Sequence, residues 1–331
     1  SSRSTLLFML ALLWARLKRL NAPYSVVHVH RLYFALPFAG KGIRCVATLH
    51  GRTFTVFPER FGKHLSKMVF PFFRRLERSL LQRTDYLVPV SSDVVEQFRA
   101  RHGPALDENR MQIIPPMVDL DMFYPRSANY FQCDFGSAPV CVFVGRLAAV
   151  KNLPLLLESW KLVTLQRCDA KLVLIGDGEL HEFIKKRIAE LGLCETVTML
   201  GEVKPKLIAD LISSANMLIV TSNHESGPLV VKEALACGTP TVSTAVGEVA
   251  GIVDDGKTGR ITSHDAAEIA SAILDVLSWK TSKSAILEAA KPVLQRSSPQ
   301  ATANAYLEIY KSLIAKTREL DGKTKPTGKS V

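Results

Sequence analysis

MLIVTSNHESGPLVVKEALACGTPTVST, residues 217 to 244, decides the fold, because it holds a strand, a polar loop, a helix and a second strand in one short span. The opening run 217–221 is apolar without alternation, the pattern of a strand covered on both faces. Pro228 suits the first helical position, where its missing N–H would be unpaired anyway, and Gly238 suits the terminator. The β-branched run 240–244 then resumes as a strand.

The same alternation extends on both sides. Strands are predicted at 140–144, 171–175, 196–200, 217–221 and 240–244. Helices are predicted at 153–166, 179–191, 205–213, 229–237 and 265–279. Near-continuous apolar strands separated by helices indicate an α/β domain with a doubly wound parallel sheet. The first half repeats the plan less completely, with strands at 25–30, 43–49, 85–91 and 111–115 and helices near 5–20, 61–83 and 92–101. Residues 126–139 lack periodicity and read as a linker. The expected organisation is therefore a first domain over 1–125, a second over 140–298, a C-terminal helix over 299–320 and a disordered tail over 321–331.

At 331 residues and 47% hydrophobic, the chain favours two domains of ordinary size. The apolar run 5–15 is too short to span a membrane and runs into Arg16, Lys18 and Arg19. The chain opens Ser-Ser-Arg and has no small-residue cleavage site, so a signal peptide is not expected, and processing or truncation is. Six scattered cysteines without a C-x-x-C pair read as reduced thiols of a cytoplasmic protein. The net charge of +11 is lopsided: residues 1–138 carry 19 Lys and Arg against 10 Asp and Glu. An anionic partner for that half follows. Its centre, residues 60–83, sets Arg60, Lys63, Lys67, Arg74, Arg75, Arg78 and Arg83 among Phe61, Phe70, Phe72 and Phe73. That stretch reads either as a solvated helix face over an apolar one or as a surface for an anionic membrane on its cytoplasmic side. No recognisable nucleic-acid module accompanies the charge, so no nucleic-acid partner is expected.

In an open parallel sheet, ligands bind outside the carboxyl ends of the strands. After 140–144 come Gly145, Arg146 and, five residues later, Lys151. A glycine turn with two cations at a helix start suits a diphosphate, or leaves two solvated cations. After 171–175 comes GDGE, 176–179, whose glycines do not complete a dinucleotide fingerprint because position 181 is His181. They would let a base or ribose lie close to the backbone. After 217–221 comes the loop with Glu225, Ser226 and Gly227, and the helix carries Glu233. Eight helical residues would leave two side chains roughly 80° apart, so Glu225 and Glu233 are not a side-by-side acid and base. They read as two holds on one ligand with a helix N-terminus between them, or as one carboxylate before a helix and one solvated within it. Of His28 and His30, at most one is expected to face the ligand side.

Taken in order, VVHVH, TLHG, Val90-Ser91, IIPPMVDLDMFYP, VGRLAAVKNLP, IGDGE, LGEV, ESGPLVVKE, ACGTPTVST and DDGKTGRI resemble the retaining GT-B glycosyltransferases of the GT4 family. The resemblance implies two Rossmann-like domains facing across a cleft, with acceptor binding in the first and nucleotide-sugar binding in the second. It implies no metal or cofactor, a UDP- or GDP-sugar donor, and a glycan or lipid-linked acceptor. Arg146 and Lys151 would neutralise the diphosphate, Glu225 would hold the donor sugar and Glu233 the ribose. Gly145, Ser226, Gly227 and Leu229 would line the phosphates, Val203 would approach the base, and His50 would face the sugar. Three departures stand out. The first domain is expected to lack its opening strands, the usual Asn-Gly is Pro116-Met117, and a glutamate usual four residues after Gly247 is Gly251. A nucleotide-sugar-binding protein, inactive or partner-dependent, and a GT-B nucleotide-sugar epimerase are the alternatives.

Overall fold

A computed structural model describes residues 25–39, 43–51, 63–127 and 130–324. The helix expected at 5–20 and the residues after 324 lie outside the described residues. The chain divides into two compact units, Pro116–Thr302 and Ser1–Pro115 with Ala303–Val331.

The first unit contains a parallel sheet in the order β1 (Val26–Val29), β2 (Arg44–Leu49), β3 (Tyr86–Pro89). Helix α1 spans Lys63–Arg83 and α2 spans Ser92–His102. Ser91 caps α2 by accepting from the Val94 N–H, which satisfies one of the donors a helix start leaves open. Leu80, Leu81, Leu87, Val94 and Phe98 are among the residues of its core. The run 111–115 is not a strand. It lies beside β3 through Gln112 N–H to Leu87 O at 3.2 Å and Ile114 N–H to Pro89 O at 3.0 Å, and then Pro115 and Pro116, which have no N–H, end the pairing.

The second unit has six parallel strands in the order β6-β5-β4-β7-β8-β9. They are β4 (Val140–Val144), β5 (Lys171–Ile175), β6 (Val197–Gly201), β7 (Met217–Val220), β8 (Thr241–Thr244) and β9 (Gly259–Thr262). Helices α3 (Leu153–Thr164), α4 (His181–Glu190), α5 (Pro205–Ser214) and α6 (Leu229–Ala236) connect β4 through β8 in turn, and α7 (Ala266–Ser278) follows β9. Each face of the sheet is covered by its own apolar layer, one around Leu218, Val231 and Leu235, the other around Leu172, Trp160 and Ile273. That two-sided burial explains the unbroken apolar strands.

The short helices Gln132–Phe135 and Val249–Ile252 escaped the sequence reading, as did two further elements. Strand β9, Gly-Arg-Ile-Thr, is short and mixed, and its Gly259 is set by β8: a Cβ there would stand 1.9 Å from Thr241 O. Helix α8 (Lys283–Arg296) contains Pro292, a residue that normally breaks a helical pattern, yet it buries Ile286, Ala290 and Leu294. The last helix, α9, spans Pro299–Thr324, and its Ile309 and Leu313 pack with Val46, Val88 and Ile114 of the first unit.

Candidate functional site

Strand order reverses at β4, which has β5 on one side and β7 on the other. A crevice forms outside the carboxyl ends of strands at such a reversal, and Gly145, Arg146, Lys151 and Glu225 lie in the segments that leave β4 and β7. Gly145 follows β4. The turn at Gly176-Asp177-Gly178 folds back on it: a Cβ at Gly176 would stand 2.1 Å from Gly145 O, and one at Gly178 2.5 Å from Leu147 O. The two glycines are therefore required by the protein's own backbone. Arg146 is largely exposed, with Glu179 its nearest acid at 3.8 Å.

Lys151 ends a 3-10 turn and Asn152 adopts a left-handed conformation, φ 48°, to start α3. This turn is stitched to the loop after β7. Asn223 N–H donates to Val150 O at 2.8 Å, Thr221 Oγ1 donates to Lys151 O at 3.1 Å, and Asn152 Nδ2 donates to Asn223 Oδ1 at 3.0 Å. The stitching presents Lys151 Nζ to Glu225 Oε1 at 2.6 Å, and Ser222 Oγ donates to the same oxygen at 2.7 Å. Charge-assisted bonds of this length are the strong kind. The Ser222 carbonyl in turn accepts from Thr244 Oγ1 at 2.9 Å and from His264 Nε2 at 3.0 Å. Ser222, Thr244 and His264 were not singled out in the sequence as supports. Only their places at the carboxyl ends of β7, β8 and β9 could have marked them.

Gly247 touches the same loop: a Cβ there would fall 1.9 Å from Glu225 O. Ser226 Oγ lies 3.3 Å from His224 Nε2. A Cβ on Gly227 would stand 3.1 Å from the Pro116 ring. Pro228 forms the N-cap of α6, and Leu229, 38% exposed, is its first residue. Val203 packs against the edge of the core after β6. Glu233 is partly buried on α6, and its carboxylate makes no ion pair or hydrogen bond among the described residues. Desolvation by burial pushes it up to about 7, as expected of a carboxylate held out of water without a partner.

In the first unit, at the carboxyl ends of β1 and β2, three histidines stack. The rings of His28 and His30 are 4.7 Å apart, and those of His30 and His50 are 5.8 Å apart. Both β1 histidines thus lie on one side, against the expectation that at most one would face it. Strand side chains alternate with period two, so positions 28 and 30 share a face. His28 Nδ1 bonds Tyr310 Oη at 2.6 Å and Nε2 bonds Thr48 Oγ1 at 2.8 Å, while Thr48 Oγ1 also lies 3.2 Å from Tyr306 Oη. Desolvation, then His30 and His50, draw His28 down to about 4. His50 is exposed as a residue, yet desolvation first, then His30 and Arg31, hold it below the ordinary 6.5.

A profile of glycosyl transferases group 1 matches residues 134–292, and one of Glycosyltransferase Family 4 matches residues 1–122. The chain belongs to the GT4-type glycosyltransferase family. Among the curated relatives of this GT4 chain is the N-acetyl-alpha-D-glucosaminyl L-malate synthase of Bacillus anthracis, 27% identical over 72% of the chain and 60% of the relative. Another is the D-inositol 3-phosphate glycosyltransferase of Geodermatophilus obscurus, 32% identical over 61% of the chain and 47% of the relative. The chain thus spans about half the length of the curated relatives it matches. HepE of Anabaena, solved with UDP, superposes with a TM-score of 0.74 at 19% identity, covering 91% of this chain and 82% of that one. At that identity the likeness shows the fold, GT-B with two Rossmann-like domains. No described helix of this GT4 chain is long and apolar enough to cross a membrane.

Proposed function

We propose that the protein transfers a hexosyl group from a nucleotide-diphosphate sugar, UDP- or GDP-linked, to an acceptor hydroxyl with retention of configuration. The observation that carries this reading is the pair of differently held carboxylates about the start of α6. Glu225 accepts from Lys151 and Ser222, while Glu233 is half-buried with no hydrogen-bond partner among the described residues. A ligand with hydroxyls at both ends and anionic charge in the middle complements that arrangement: sugar on Glu225, ribose on Glu233, diphosphate over Gly227 and Leu229. Arg146, largely exposed and paired loosely with Glu179, would swing onto the diphosphate. Lys151 would share its charge between Glu225 and the leaving phosphate as negative charge builds there.

In the transfer, the bond from the anomeric carbon to the phosphate oxygen breaks and one from that carbon to the acceptor oxygen forms. The acceptor proton passes to the departing phosphate, so no enzyme nucleophile is required. His50 is assigned to the donor sugar on the family resemblance alone. Acceptors are glycans or lipid-linked glycans, and L-malate and inositol phosphate belong in the test panel because the relatives' names carry them. On α1, Phe70 and Phe72 are exposed beside Arg74, Arg75 and Arg78, which supports docking on an anionic membrane surface.

A thermal-shift panel of nucleotide sugars followed by transfer assays tests the proposal. A ligand that binds the native state raises its melting temperature. Stabilisation by one nucleotide series, with product formed on an acceptor at unchanged anomeric configuration, is the expected result. Binding with no transfer, alone or on any acceptor, would refute the catalytic reading, and no binding at all would refute the site.

A further inference from the structure

Lys232 precedes Glu233 on α6 and is only 1% exposed, one of the largest side chains fully buried. The donor reading makes no use of it, and a buried cation is costly unless something compensates it. Its Nζ donates to Pro116 O at 3.1 Å. Desolvation draws its pKa down to about 8, with Arg296 adding to the fall and Glu248 opposing it. Pro116, so held, sets its ring on the donor loop: a Cβ at Gly227 would stand 3.1 Å from both Cδ and Cγ. The loop is pinned a second time at Glu225, where the backbone of Gly247 packs against the carbonyl. Glu248, the next residue, is the acid that favours the Lys232 charge. Lys232 is therefore linked to both segments that pin the loop, the one through a hydrogen bond and the other through charge.

We propose that Lys232 is a positioning residue for the donor loop: by holding the Pro116 carbonyl to α6, it presses Pro116 onto Gly227. That fixes the backbone from Gly227 to Leu229 in the shape that receives the diphosphate. The inference rests on the reading of this loop as the diphosphate site. The enclosed ammonium gives one of its three N–H groups to a main-chain oxygen. It also gives Pro116, where the family usually has Asn-Gly, a part in the site: a rigid ring replaces a flexible turn and needs a fixed anchor. Fixing a loop in its bound shape strengthens binding because less ordering remains to be done when the ligand arrives.

The test is calorimetric titration of the full chain with UDP and GDP, together with melting curves, for wild type, Lys232→Met, Pro116→Ala and the double variant. The methionine keeps the length and removes the buried charge, so the melting temperature should hold or rise, while affinity for the nucleotide falls about tenfold. Pro116→Ala should weaken binding similarly. The double variant should be no weaker than Pro116→Ala, because the two changes remove one contact chain. A purely structural lysine would instead lower the melting temperature and leave the two changes additive. Wild-type affinity in Lys232→Met, or additive losses, would overturn the inference. If Lys232→Met does not fold, unchanged affinity in Pro116→Ala overturns it alone. Failure of the wild type to bind either nucleotide would overturn the diphosphate reading itself, an outcome distinct from equal binding by wild type and variants.

Discussion

Replacing Glu233 by glutamine should make the protein more stable and a poorer binder at once, and the sign of the first effect depends on pH. Burial raises the carboxyl from its ordinary 4.5 to about 7, so between those values the native state binds more protons than the unfolded chain. Stability is then fully present below 4.5 and is lost as pH rises through 7. Each pH unit between the two values is worth about 1.4 kcal/mol, which sets a ceiling of about 3.5 kcal/mol. Partial exposure reduces this to about 2 kcal/mol. Glutamine fills the same space without a charge to desolvate. At pH 8 the variant should therefore melt about 4–8 °C higher than wild type, at about 2–4 °C per kcal/mol for a unit of this size. At pH 4 the two should coincide. Binding should move the other way, since two ribose hydroxyls lose charge-assisted bonds and keep neutral ones, a difference of about 1 kcal/mol each. Nucleotide affinity should fall about thirtyfold at pH 8. Because ribose favours the ionised carboxylate, wild-type affinity should also climb from pH 6 to 8 more steeply than that of the variant, in which phosphate titration alone remains. A variant that melts lower at pH 8, or binds UDP and GDP as the wild type does, refutes the reasoning.

Gly247→Ala should displace the Glu225 carbonyl, because the added Cβ would meet it at 1.9 Å; nucleotide-sugar binding should drop at least tenfold in calorimetry, and full binding would show that the loop yields freely. His28 is held neutral, with its pKa near 4 against an ordinary 6.5, so its contribution is present above pH 6.5 and is lost as pH falls toward 4. His28→Asn should flatten the acid limb of the stability curve by about 1–2 kcal/mol at pH 5, and an unchanged limb in urea titrations would contradict this. Changing Arg74, Arg75 and Arg78 together to glutamine should cut binding to phosphatidylserine vesicles and leave UDP affinity alone; equal vesicle flotation would leave α1 an ordinary solvated helix. Lys151→Met should leave Glu225 with Ser222 as its hydrogen-bond partner among the described residues and lower the transfer rate more than donor affinity, which a kcat and KM comparison checks.

Most of the second sheet was legible because its central strands are near-continuously apolar and helical patterns separate them, with Pro228 and Gly238 bounding α6. The stretch 217–244 shows this directly, since strand β7, Pro228, α6 and β8 fall where the residues place them. Strand β9 and helix α8 were not legible, the one being four mixed residues and the other carrying Pro292, and both depend on packing against neighbours far along the chain. In the site, Glu225 and Lys151 could each be singled out, but their pairing across 74 residues could not. Nor could Lys232, whose position between Val231 and Glu233 looks like a solvated one. Periodicity reports which face of an element is apolar, and a lysine held by one distant carbonyl leaves no periodic trace. The stacked histidines were obscured differently: His28 and His30 are two apart on a strand and share a face by simple geometry.

The close approach of Gly176 and Gly178 to the Gly145–Leu147 backbone limits how this pocket can be redesigned. Neither position admits a side chain without moving β4's exit. Asp177 is also committed, its Oδ1 accepting from Gly178 N–H at 2.7 Å and lying 3.0 Å from His181 Nδ1. In the turn 176–179 only Glu179, exposed and facing Arg146 at 3.8 Å, is open to substitution. A library aimed at altering nucleotide choice through this turn would therefore explore one site rather than four, and every clone changed at either glycine should be recovered as a folding defect rather than as a new specificity.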